Sequence, residues 1–137
     1  MLVQLAVAGF LLAHALIHVA FLTAAPPATV GGPAWPFSTS ESWLFTRLGV
    51  GPDATRLLAL ALVATTIAGF SLAALSVIGI LPAGIWLPSV AIGAASSMGL
   101  LISFFHPWLV LGVGIDLVLI WASLVAGWMP RASGWEI

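Results

Sequence analysis

Four side chains in this sequence can do chemistry away from water. They are His14 and His18 in FLLAHALIHVAFL, His106 ahead of Pro107, and Asp116 in LGVGIDLVLIW. A histidine can donate or accept a hydrogen bond, take up a proton or ligate a metal, and an aspartate can accept, ionise or ligate. His14 and His18 are four residues apart, so on an α-helix they share one face at a height difference of about 6 Å. Ionisable groups in apolar segments are costly there, usually face a bundle interior, and mark binding sites or proton relays. Neutral histidines also serve simply as hydrogen-bond partners between helices.

The elements that must position these residues are membrane spans. The chain has 137 residues, 62% hydrophobic and 5% charged, and a mean hydropathy of +1.23. A soluble domain carries about 25% charged residues, so this composition is suited to membrane lipid as its surroundings. Three basic and four acidic residues leave a formal charge of −1. No basic patch for nucleic acid follows from that balance. With no cysteine in the chain, disulfides, thiolate catalysis and iron–sulfur ligation are excluded.

Crossing the hydrocarbon takes about 20 residues of helix. Spans are expected over about 2–24, 54–80, 86–105 and 108–128, with Pro26-Pro27, Gly51-Pro52-Asp53, Pro82-Ala83-Gly84 and His106-Pro107 as the breaks. The first stretch lacks a basic leader, and Ala24-Ala25 is followed by proline, so it reads as a retained span rather than a cleaved signal. The loop over 26–53 carries Trp35, Phe37, Trp43 and Phe45, which suit the membrane interface. Within it Ser38 and Glu41 have the spacing of a capping box, predicting a short helix from about Thr39 to Leu48 that Gly49 ends. The fold expected is an all-α integral membrane protein, a four-transmembrane-helix bundle in one domain over 1–137, with a short interfacial helix in the first loop. Both termini then lie on one side. Arg47 and Arg56 flank the first-loop side against Arg131 and the N-terminal amine, so the positive-inside rule leans toward termini outside.

Small and polar residues at helical spacings give candidate packing stripes: Thr65, Gly69 and Ser76 on the second span, and Ser96, Gly99 and Ser103, leading to His106, on the third. On the fourth, Gly112, Asp116 and Ser123 share a face.

Depth ties the reactive residues together. At 1.5 Å per residue from the first-loop side, His18 lies at about 9 Å, His14 at about 15 Å and Asp116 at about 13 to 14 Å, with His106 at the mouth. A charged aspartate at that depth needs a partner, a proton or a metal. His14 or His18 is the natural partner, since an imidazole N–H donated to the carboxylate satisfies both groups, which predicts contact between the first and fourth spans, neighbours when an up-and-down bundle closes its ring.

Several chemistries are open to this set. His14, His18, His106 and Asp116 supply three nitrogens and one oxygen, suited to zinc or another divalent transition metal. The hydrolase motif HExxH is absent, and one aspartate is too few for a di-iron site. Haem b could be held by His106 opposite His18, but not by His14 and His18 as opposite ligands, since they lie on one side. His14, His18 and Asp116 could instead relay protons or move a small substrate. The alternative is a non-catalytic role as an accessory subunit of a larger membrane complex or a homo-oligomer. No nucleophile-and-base arrangement, phosphate-cradling glycine loop or pair of carboxylates occurs, and Ser103 beside His106 lacks an orienting acid.

Four short spans with a tryptophan-rich first loop resemble small bacterial membrane proteins in general, which makes the bacterial inner or plasma membrane the expected location. The small multidrug-transporter and fluoride-channel families share this size and span count, but their diagnostic residues are absent here.

Overall fold

The computed structural model describes residues 1–27, 30–32 and 35–128, and is helical with no strand among them. Helix α1 runs over Leu2–Ile17 and tightens into a 3₁₀ turn over His18–Leu22. A short helix α2 (Trp43–Arg47) sits in the first loop, followed by α3 (Pro52–Val77), α4 (Trp86–Ser103) and α5 (Val110–Ile120). Four stretches are long and apolar enough to cross a membrane: Leu2–Leu22, Pro52–Val77, Ala83–Ser103 and Pro107–Val125. The protein is thus an integral membrane four-helix bundle, and residues 1 and 128 lie at the same end of it.

Local chemistry sets the helix ends. Pro52 opens α3 at its first position, where a missing N–H is harmless, and Asp53 complements the positive end of that helix. At the same end of the bundle, Pro107 has no N–H to donate to the carbonyl of Ser103, four residues earlier. Ser42 fills that place, its Oγ donating to the Ser103 carbonyl at 2.6 Å, while Trp43 Nε1 donates to the Ile102 carbonyl at 2.6 Å. Two of the carbonyls orphaned at the end of α4 are therefore satisfied by the loop, which holds α2 across this end of the bundle.

The same contact corrects the expected loop helix. Its N-cap is Ser42, whose Oγ accepts from the Phe45 N–H at 3.2 Å, and not Ser38. Ser38 Oγ instead accepts from the N–H of Ser40, Glu41 is exposed, and the helix is shorter than the capping box suggested. Gly49 does turn the chain out of it, with φ +71°. The tail bearing Arg131 and Glu136 lies outside the described residues.

The tightest packing joins α3 to α4. A Cβ placed on Gly69 would lie 2.6 Å from Gly93 Cα and 2.8 Å from the Ser89 carbonyl, so the two backbones touch there because neither glycine has a side chain. Helix α1 packs on α3, and α5 on α4. Between α1 and α5 the backbones barely approach. The ring expected of an up-and-down bundle is closed by side chains rather than by helix packing.

Two apolar clusters fill the bundle. Leu11, Ala15, Phe70, Ala73, Val77, Trp86, Val90 and Ala94 form one toward the terminal end. Phe21, Ala59, Val63, Leu100, Leu101, Phe104 and Leu109 form the other toward the first loop. Along every span a buried polar residue separates the two: His14 and His18 on the first, Thr66 on α3, Ser97 on α4 and Asp116 on α5.

Candidate functional site

The polar layer between the clusters is the candidate site, and its centre is an ion pair inside the membrane region. His14 Nε2 and Asp116 Oδ1 stand 3.0 Å apart, within hydrogen-bonding distance, with the residues 3% and 0% exposed. The depth match derived from chain position therefore holds to within hydrogen-bonding distance. Asp116 is the sole buried residue of α5, so the helix seats its one ionisable group inward while Leu111, Leu117 and Val118 face outward.

His18 occupies the next turn and is bound differently. Its Nδ1 donates to the His14 carbonyl at 2.9 Å, and its Nε2 lies 2.9 Å from Ser97 Oγ. A carbonyl can only accept, so in the neutral ring the hydrogen sits on Nδ1 and the Ser97 hydroxyl donates to Nε2. In a regular α-helix the His14 carbonyl would be taken by the backbone N–H of His18. That N–H bonds the Ala15 carbonyl instead, one residue nearer, which is the 3₁₀ pattern. The imidazole of His18 thus replaces its own backbone as the partner of His14, and the α-to-3₁₀ change falls at the site.

Aromatic rings fix the imidazoles in place. The His14 ring is 5.0 Å from Phe70 and 5.2 Å from His18, both edge to face, and lies parallel to Phe10. Phe10, His14, His18 and Phe21, at spacings of four, four and three, form one continuous stripe along the first span.

Several buried polar atoms of this layer have no partner: His14 Nδ1, Asp116 Oδ2, the Thr66 hydroxyl, and Ser123 Oγ two turns beyond Asp116. Buried polar atoms are normally satisfied by protein or water, so these atoms mark places able to take a proton, a water or a ligand. A cleft of about 120 Å³ lies beside His14 between the first and fourth spans, lined also by Ile17, His18, Phe21, Trp108 and Gly112 among others. Phe37 of the first loop covers its upper end, held edge to face on Phe21 at 5.2 Å.

The structure does not gather the expected four-ligand set. Among the described residues, no three His, Cys, Asp or Glu side chains come together around one point. Two residues fall out of it: His18, whose nitrogens are taken by the His14 carbonyl and Ser97 Oγ, and His106, which caps the short turn Pro107–Leu109, its Nδ1 accepting from the Trp108 N–H at 3.3 Å. It is half-buried at the mouth, with its ring edge to face on Trp108. The cleft, at about 120 Å³, is smaller than the few hundred Å³ of a typical cofactor pocket, and His106, the residue expected to oppose His18 across a haem, does not line it.

The packing stripes need correction by one residue. Thr65 is exposed and donates its hydroxyl to the Ala61 carbonyl at 2.7 Å, while its neighbour Thr66 is buried. Ser96 is only half-buried, and Ser97 beside it makes the contact with His18. Gly69 does lie in the α3–α4 seam. Ser76 is buried and donates to the Pro82 carbonyl at 3.1 Å. Ser103 is buried under Ser42, Gly99 comes near Leu62, and a Cβ on Gly112 would meet Leu101 Cδ1 at 2.8 Å. A signal for Ser97 was present: Ser89, Gly93 and Ser97 recur every four positions, a small-residue stripe turned about a quarter of the way round α4 from the one expected.

No protein-family model matches this chain, and neither a characterised protein nor a solved structure shows significant similarity to it.

Proposed function

We propose that this small membrane protein binds and releases a proton inside the bilayer at the His14–Asp116 pair, and that the state of the pair sets how α5 sits on the bundle. The observation that carries the reading is a hydrogen-bonded pair of ionisable groups, fully buried, with one atom of each partner left open. Moving the hydrogen along the 3.0 Å bond interconverts imidazolium–carboxylate with imidazole–carboxylic acid, both without net charge. Neutrality is what hydrocarbon favours, so the transfer needs no counter-ion. In both forms His14 Nδ1 carries a hydrogen with no acceptor, and loss of that hydrogen is the step that charges the pair. His18 and Ser97 hold the His14 carbonyl and the next turn in place.

The test is a pH titration in lipid bilayers, following the histidine ring nitrogens by NMR and the aspartate carboxyl stretch by infrared. The expected result is one transition shared by His14 and Asp116, since coupled groups titrate as a pair. Asp116→Asn must abolish it at both residues. If neither group changes protonation between roughly pH 4 and 10, the pair is structural only.

A divalent metal is the second reading, favoured by one distance: His14 Nε2 and Asp116 Oδ1 stand 3.0 Å apart, close to the spacing of two ligands on one ion. This chain would then supply two donors, and the others would come from water or a second molecule. Zinc added in the same experiment should displace the Nε2 hydrogen if this is correct.

A further inference from the structure

The cleft between the first and fourth spans has features that proton binding leaves unused. Its rim is formed by Ile17, Leu111 and Trp108, all exposed on the outer surface of spans that face lipid. Whatever occupies it arrives from the bilayer. Its inner wall carries His14, one of whose nitrogens is unpartnered, and the aromatic rings of Phe21, Phe37 and Trp108 complete the lining. At about 120 Å³ it is slightly smaller than a cavity of about 150 Å³ known to hold a benzene ring, and it is open on one side. The backbones of α1 and α5 hardly meet, so side-chain movement alone can admit a guest.

We propose that this cleft binds a flat, lipid-soluble molecule one ring wide that carries a carbonyl oxygen, the chemistry of a quinone head, with the carbonyl accepting from His14 Nδ1–H. The assignment rests on the proton-binding reading of the pair, which keeps that hydrogen on Nδ1. An acyl chain would fill the space but leave the buried donor without an acceptor. An anionic ligand would set a second negative charge beside Asp116 with no arginine lining the cleft. A carbonyl-bearing ring satisfies the donor, adds no charge, and packs against the aromatic walls.

The probes are tetramethyl-1,4-benzoquinone and tetramethylbenzene, which share a ring and its methyl groups but differ in the two carbonyls. Full-length protein in lipid nanodiscs, labelled with ¹⁵N-histidine, gives a clean readout because the chain has three histidines. The expected result is a saturable shift of the His14 Nδ1 signal with the quinone, about fivefold or more tighter than with the hydrocarbon, the factor a single hydrogen bond of about 1 kcal/mol gives. Ile17→Trp, a change at a lipid-facing rim position, should close the cleft and remove the shift while leaving the shared titration of His14 and Asp116 intact. An equal response to both probes, no response to the quinone, or an unchanged response in Ile17→Trp overturns the assignment. The titration of the pair, recorded before any probe is added, separates that failure from a failure of the proton-binding reading.

Discussion

The seam between α3 and α4 and the junction between the first and fourth spans hold the same bundle together by opposite means. In the seam, Gly69 and Gly93 let two backbones touch, and the contact involves no ionisable group. At the junction the backbones stand apart, one ion pair crosses the gap, and a cleft remains beside it. Burial follows the same division: 44% of the third span's apolar window is buried inside the protein, against 17% of the fourth. A contact made of backbone is rigid and insensitive to pH. A contact made of one imidazole and one carboxylate can be altered by a single proton. The molecule places its fixed architecture in one half and its adjustable contact in the other.

The largest effect should come from breaking the seam. Gly69→Ala places a methyl group 2.6 Å from the backbone of Gly93, where only separation of the helices relieves the clash. Unfolding in mixed detergent should show a loss of about 3 kcal/mol, the upper range for overpacking. Gly93→Ala should be milder, because its methyl meets the Phe70 ring and backbone N at 3.1 Å and the Gly69 carbonyl carbon at 3.3 Å, contacts that a shift of a few tenths of an ångström relieves. Equal costs would mean that the two helices do not meet as closely as described.

The junction should prove weaker and more specific. A double-mutant cycle with His14→Ala and Asp116→Ala should give a coupling of about 1 to 2 kcal/mol, near the top of what hydrogen-bonded pairs between membrane helices reach. Replacing both partners at once, by His14→Phe with Asp116→Leu, should leave stability within about 1 kcal/mol of the parent, since a buried ion pair exchanged for apolar groups of similar size is often neutral. The same double variant should lose the shared titration completely. A severe loss of stability there would show the pair to be the scaffold of this junction rather than its adjustable part.

The loop clasp is next in size. Ser42→Ala removes both the bond to the Ser103 carbonyl and the cap of α2, with an expected loss of about 1 kcal/mol. Amide exchange should rise in α2 and at the end of α4, while the signals of His14 and Asp116 stay in place. A change confined to the distant polar layer would contradict the clasp as drawn.

These contrasts also separate what could be read from the sequence from what could not. Four spans followed from hydropathy and from proline and glycine breaks, because a run of about 20 apolar residues in lipid satisfies its own backbone hydrogen bonds only as a helix. The pairing of Asp116 with a first-span histidine followed from depth, because rise per residue is nearly constant along a span, but the choice of His14 over His18 came only with the structure. The packing faces followed only in part: Gly69, Ser76 and Ser103 are buried as expected, but two positions were off by one residue, Thr65 for Thr66 and Ser96 for Ser97. One residue is about 100° of helix rotation, enough to turn a side chain from core to lipid. Polar spacing carries little information at such sites because a threonine can satisfy its own hydroxyl on the preceding turn and face lipid, as Thr65 does with Ala61. His106 was misplaced for a related reason. Depth put it at the mouth correctly, but Trp108, two residues on, offered its ring a nearer partner than the ion-pair layer.

The smallest effect is the one that best defines the polar layer. Thr66 is fully buried and its hydroxyl has no partner, whereas Thr65 is exposed and bonded. Thr66→Val keeps the shape and removes the unsatisfied group, so in a dry layer it should stabilise the protein by up to about 1 kcal/mol. In a layer hydrated by an internal water the same change removes a hydrogen bond and should destabilise by a similar amount. Thr65→Val should be close to neutral in both cases and serves as the reference. The sign of the Thr66 effect, measured against that reference, decides whether the His14–Asp116 pair exchanges its proton with water held inside the bundle.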